Sequence, residues 1–453
     1  MKKVFLFSFS LLFVTSFSQT HIWNGSAGDN DWFNAVNWDA GTVPDASSTV
    51  LIEGTGTETV EIISGVAQAN TLNLNLNTIL NIENNLTITG DFHNSSGATV
   101  FWRKGIISGG TIQNYGLLQI ENPDAKYLDG TTINNHNAIT ILNSGVIHLD
   151  NTVTIHNLNK ATISINSSGG IVEDSGIATF NNLGSIVLDA PSPKSFYMIF
   201  DMNNEGVIEV RESHAFLFLV ASQNFTNFPN GTLMGEGTFD ITANFSNNGL
   251  IDPASNGTTG TLDVLNNLNF PSEAILKIDV ISATEYDVLE VFGSPTIEGV
   301  LDVNLLSNLN IDDELTVITS SNSLSCNLPS EIIATYDNHT DYFFDVICGT
   351  NEVILKVSEI LLLGREDNFK KNYFVAFPNP AKQQVTFEFP AFPIEKNSAY
   401  RIELFSMLGQ KINEISVIEE TTSFDVSQLS SGIYFAHLVS EKGLLATTKI
   451  VVE

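Results

Sequence analysis

Residues 112–120 read Ile112-Gln113-Asn114-Tyr115-Gly116-Leu117-Leu118-Gln119-Ile120: an apolar, polar, asparagine triplet, a glycine, and then a strand that alternates apolar with polar. The same triplet recurs as Phe92-His93-Asn94, Ile133-Asn134-Asn135, Ile155-His156-Asn157, Phe180-Asn181-Asn182, Met202-Asn203-Asn204, Phe225-Thr226-Asn227 and Phe245-Ser246-Asn247. Successive asparagines stand 20, 21, 22, 25, 22, 23 and 20 residues apart, so the period is close to 22. Most triplets are followed by an alternating run such as Ile139 and Ile141, Ile186 and Leu188, or Ile208 and Val210. Alternation with a period of two specifies strands, and the intervening Asn and Gly are expected to supply the positive-φ corner of a tight turn. No unit of this size buries its apolar residues alone, so neighbouring units must stack. The expected fold class is all-β: a right-handed parallel β-helix, or solenoid, in which the eight asparagines form one column and their amides hydrogen-bond from coil to coil. Coils advancing about 4.8 Å each would make a rod roughly 50 Å long. His93 and His156 share the polar column beside the asparagines but not adjacent coils, and zinc needs three or four convergent ligands, so no metal set is read there.

The 453 residues are 43% apolar, enough to fill a substantial core, and carry a formal charge of −32 from 19 basic and 51 acidic side chains. A chain this poor in Lys and Arg has no basic patch with which to neutralise phosphates, which excludes nucleic acid as a partner. The same bias suits a surface that stays soluble outside the cell or collects divalent cations. Residues 1–18 combine Lys2 and Lys3, an apolar run from Val4 and small residues Ser16 and Ser18. They read as a signal peptide cleaved before Gln19; the run is too short to span a bilayer, and no later segment is apolar for long enough. In the oxidising compartment beyond, Cys326 and Cys348 are read as a structural disulfide closing a loop worth about 3 kcal/mol, with two buried thiols as the alternative.

Trp23, Trp32 and Trp38 are three of only four tryptophans and precede Gly41, Pro44 and the strand around Val50 and Ile52. Residues 19–60 resemble the opening module of many bacterial β-helix surface proteins. Bulky indoles folded over an open solenoid end would block edge-to-edge aggregation. Asp29, Asn30 and Asp31 offer oxygen ligands for calcium, although such a run is more often a plain turn. From Leu262 the strands continue in a changed pattern, with Tyr286-Asp287-Val288-Leu289, Gly299-Val300-Leu301-Asp302-Val303 and Leu315-Thr316-Val317-Ile318. This stretch resembles the end of the passenger β-helix of autotransporter adhesins. The helix is assigned to 61–358 and a linker to 359–372.

Residues 373–453 form a separate all-β unit with turn residues every 8–12 positions, which suggests an immunoglobulin-like sandwich of about seven strands. Its landmarks are Pro378-Asn379-Pro380, a strand leading into Gly409-Gln410, then Leu429-Ser430-Ser431-Gly432-Ile433-Tyr434, and a last strand around Lys449. Taken together they resemble the type A C-terminal sorting domain of the type IX secretion system. The resemblance implies recognition of Pro378, Asn379, Pro380, Gly409, Gly432, Tyr434 and Lys449 as a sorting motif by the outer-membrane translocon. It also implies passage through the periplasm, tag removal, and a final place at the cell surface or in the medium.

Some β-helix families cleave acidic polysaccharides, which requires paired carboxylates or carboxylate-bound calcium on one face. The acids in the repeat, such as Glu121, Asp150, Glu173, Asp189 and Glu209, do not share a column, and Arg103 and Arg211 are its only arginines. No nucleophile elbow, zinc-protease helix or phosphate loop is present. The expectation is therefore a non-catalytic adhesin or surface scaffold without a cofactor, binding glycans or extracellular matrix. A polysaccharide lyase or hydrolase is the alternative.

Overall fold

The computed structural model describes residues 19–362 except positions 55, 219–221, 256 and 338, and then 375–388, 400–417, 421–440 and 443–453. The expected signal peptide and most of the expected linker lie outside these residues. The chain divides into two compact units, Met1–Leu361 and Leu362–Glu453.

In the first unit each coil contributes three short strands, as Asp91–Asn94, Thr99–Trp102 and Gly105–Ser108 do before Thr111–Asn114 begins the next coil. Equivalent strands pair in parallel and build three sheets. The first has eleven strands, from Thr20–Ile22 to Asn244–Asn247; the second starts at Glu58–Ile62 and the third at Val66–Ala69. The result is the expected parallel β-helix. Register is kept residue for residue, so Phe92, Ile112, Ile133, Ile155, Phe180, Met202 and Phe225 fall in one buried column. A one-residue slip would turn each of these outward, so the apolar pattern itself locks the pairing.

The corners depart from the expectation in one respect. Gly116, Gly184, Gly206 and Gly249, which follow the ladder asparagines, are absent from the positive-φ residues, as are those asparagines. Glycine is required there because the coil below is too close: a Cβ on Gly116 would lie 2.3 Å from the Ala98 carbonyl oxygen and 2.8 Å from Nδ2 of Asn94. Left-handed corners occur elsewhere, at Asn77, Asn122, Asn143 and Gly97 among others.

At the amino end Thr20–Ile22 pairs with Thr49–Ile52, the first coil's strand. Trp23, Trp32 and Trp38 are buried at this end of the core. Trp38 packs edge-on against both other indoles at 5.0 Å, and its Nε1 donates to the Trp32 carbonyl at 2.8 Å. At the other end the parallel coils run on through Asn269–Phe270, Thr296–Ile297 and Ser325–Cys326. An antiparallel set, Glu352–Leu362, Thr340–Cys348 and Glu331–Tyr336, then extends the third sheet. A disulfide joins Cys326 to Cys348, and so ties the last coil to that set.

The second unit has a three-stranded antiparallel sheet (Val375–Phe377, Gln384–Glu388, Thr421–Asp425) and a four-stranded one (Lys411–Val417, Tyr400–Ser406, Gly432–Ser440, Gly443–Val452). Their seven strands share a core that includes Val385, Phe387, Ile402, Leu404, Ala436, Leu438 and Ile450, as a small sandwich requires.

Candidate functional sites

The asparagine column is realised as a single continuous file. Nδ2 of Asn94 donates to Oδ1 of Asn114 at 2.6 Å, and the same bond repeats from Asn114 to Asn135, Asn157, Asn182, Asn204, Asn227 and Asn247 at 2.7–2.8 Å. The second proton of each Nδ2 from Asn94 to Asn227 reaches a backbone carbonyl of the next coil, such as Leu117 or Ala138. All eight side chains are buried. The file leaves two groups without a partner among the described residues: Oδ1 of Asn94 at its start and Nδ2 of Asn247 at its end. This is the hydrogen-bond chemistry of a structural spine, with no face open to a ligand.

Outward from the same strands stand two ranks of polar side chains. Thr71, Asp91, Thr111, Thr132, Thr154 and Thr179 lie in one register, and Asn73, His93, Gln113, Asn134, His156 and Asn181 in the other. His93 and His156 therefore sit in one rank with two residues between them, as the spacing predicted. Near this face Tyr115 stacks on His136 with ring centroids 4.0 Å apart; Tyr127 stacks on His148, in the third sheet, at 4.7 Å.

The acids singled out in the repeat are engaged locally. Arg103 bridges Glu83 and Glu121, in the coils below and above it; Ser175 donates to Asp150; and Glu173 accepts from the Ala178 amide. Arg211 lies 2.7 Å from Glu209 and 3.9 Å from Asp189, in a groove of about 320 Å³ also lined by Glu212, His214 and Glu236. Asp189 and Glu209 do not share a column, yet one guanidinium draws them together. Both ring nitrogens of His214 are occupied: its Nε2 accepts from the Ala190 amide at 3.1 Å, and its Nδ1 pairs with the Glu212 carbonyl at 2.6 Å. In the Trp-rich module, Asp29 accepts from Asn34, Asn37 and the Asp31 amide, and these bonds, led by Asn34, hold its carboxyl below the ordinary range. The Asp29-Asn30-Asp31 run is an internally bonded turn.

Sequence reading passed over a second acidic group. Asp252, Asp279 and Asp287 come from successive segments near the end of the parallel coils; one oxygen of each lies within 4.8 Å of the others, and all three are buried. Lys277 Nζ stands 2.8 Å from Asp279 and 3.3 Å from Asp252. Asp287 accepts from the Gly260 and Asp279 amides at 2.9 and 2.8 Å, and Asp279 accepts from Asn304 and the Gly257 amide. Oδ1 of Asp252 has no donor among the described residues. The available signal was Lys277-Ile278-Asp279, a lysine and an acid two apart on one strand face.

Burial pushes Asp287 up to about 7, against the pull of its two amide donors. A raised carboxyl pKa favours the fold at low pH, and that contribution drains away as pH rises from the ordinary value near 3.8 through about 7. Between about pH 5 and about pH 8 in chelating buffer, the parent is expected to lose roughly 2–3 kcal/mol relative to Asp287→Asn. Thermal unfolding of both proteins checks this, and superimposable pH profiles would count against it.

In the second unit the predicted motif residues gather at one end of the four-stranded sheet. Asn379 donates to the Lys449 carbonyl at 2.6 Å and accepts from the Val451 amide at 2.7 Å, so the Pro378-Asn379-Pro380 turn grips the final strand. Tyr434 lies in register with Ser406 on one side and Ile450 on the other, and its hydroxyl donates to the Ser430 carbonyl at 2.8 Å. Gly432 is two residues before it, paired with Val452. Gly409 takes φ +74° in the turn just beyond Ser406, whose neighbour Leu408 is 95% exposed.

Residues 375–453 match the family described as the secretion system C-terminal sorting domain. No curated protein matches the chain significantly. The carboxyl-terminal unit is thus a type IX sorting domain, and it marks the chain for export to the cell surface or beyond. Among the described residues no helix is long and apolar enough to cross a membrane.

Proposed function

We propose that the sorting domain delivers the coil unit through the type IX translocon, and that the coils then serve as a non-catalytic adhesin or surface scaffold. The observation that carries this reading is the outer face of the first sheet, where Thr and Asn/Gln/His ranks repeat in register over successive coils. A flat, repetitive polar surface suits a ligand that is itself repetitive, such as an extended glycan or matrix polymer, because many weak contacts sum along its length. A screen of the secreted protein against glycans and extracellular-matrix components is expected to return polymer binding that weakens when Thr132 and Asn134 are replaced together by Glu. Binding indifferent to that change would remove the face from consideration.

The second reading, a carbohydrate-active enzyme, draws on the groove around Arg211. Two carboxylates lining one groove are the residue types that acid–base chemistry needs, although both are already paired to the arginine. Depolymerisation of any acidic polysaccharide, stopped by Glu209→Gln, would replace the adhesin reading with this one.

A further inference from the structure

The cluster of Asp252, Asp279 and Asp287 holds three carboxyl groups and, in Lys277, one ammonium, so full ionisation would leave two negative charges in a buried site. Removing charge from water without a partner is costly, and a divalent cation would bring the group to neutrality. An independent feature points the same way. Asp252 is 4% exposed, and while its Oδ2 meets Lys277, its Oδ1 has no donor among the described residues. A buried acceptor without a donor is what a bound cation would satisfy.

We propose that Asp252, Asp279 and Asp287 form a calcium site that fastens three successive segments at the end of the parallel coils. The donors are all carboxylate oxygens, the hard-ligand chemistry of calcium and magnesium rather than of zinc or copper. Coordination habit separates the two candidates: magnesium dehydrates reluctantly and keeps several waters, whereas calcium takes dedicated sets of protein oxygens such as these three buried carboxylates. Each carboxylate oxygen that already accepts an amide retains lone pairs for a metal. Lys277 remains as the charge partner of Asp279 and Asp252, and Asn304 supports Asp279 by donating to it through Nδ2. The site is independent of the adhesin reading: it joins coil segments and does not touch the outer face of the first sheet.

The test uses the full secreted protein stripped with chelator, titrated calorimetrically with calcium chloride and melted with and without it. The expected result is one saturable site, a calcium-dependent rise in Tm, weaker binding of magnesium, and a loss of at least about tenfold in affinity in both Asp252→Asn and Asp287→Asn. Asp287→Asn removes a buried charge but turns an NH2 toward one of the two amides that Asp287 accepts, so its fold is checked by circular dichroism. Asp252→Asn, whose Oδ1 meets no donor among the described residues, is the gentler variant and carries the test if the first fails to fold. No saturable binding up to about 10 mM calcium, beyond the range of extracellular calcium modules, would overturn the proposal. So would titrations that both variants reproduce.

Discussion

A chain ending at Leu362 is expected to fold its coils and yet fail to leave the cell, with the protein outside falling to background. The two units have separate cores, with Trp23 through Val357 contributing to one and Ala381 through Val452 to the other, so deletion of the second leaves the first without an exposed interior. What deletion removes is the feature matched by the sorting family, residues 375–453. Retained protein should resist proteolysis as the parent coils do, which separates lost export from misfolding. A milder change localises the effect: Asn379→Ala removes both hydrogen bonds to the last strand and should lower export without abolishing it. Coils recovered outside the cell at parental levels after deletion would show that the domain is not their route out.

The second large effect concerns the asparagine file, and it depends on position. Asn157 receives a bond from Asn135 and gives one to Asn182. Replacing it with Leu strands a buried donor on one side and a buried acceptor on the other, at about 1–3 kcal/mol each, for a total of roughly 2–6 kcal/mol. Asn94 differs because its Oδ1 already lacks a partner. In Asn94→Leu the orphaned acceptor moves to Asn114, the Leu117 carbonyl loses its side-chain donor, and the coil below already carries a buried Leu74 at the same register position. The expected cost there is under about 1.5 kcal/mol. Chemical denaturation of the two variants beside the parent reads the difference. Equal losses would mean that the amides act as isolated side chains and not as a connected file.

Both expectations began in the sequence, but to different depths. The period near 22 and the alternation within each repeat sufficed for stacked parallel coils, because an apolar residue every second position can be buried in only one register. The triplet asparagines announced their file for the same reason: identical side chains in register meet their own kind. Gly116 and its equivalents were visible as turn residues, yet their reason was not, since the Ala98 carbonyl 2.3 Å from where a Cβ would stand belongs to another coil. The sorting unit was legible from four short landmarks, whereas their convergence around Asn379, Tyr434 and Lys449 required strands from opposite ends of the unit to pair.

Sequence alone determined what repeats: the coil, its inward column, the asparagine spine and the export tag, since each of these is written in a local pattern that recurs or stands contiguous. Tertiary structure decided what occurs once. Asp252, Asp279 and Asp287 lie up to 35 residues apart in an acidic chain and look unremarkable among its 51 acids. They became a site only when winding placed them within a few ångströms, out of water, where proximity and desolvation give a carboxylate properties that its position in the chain does not record.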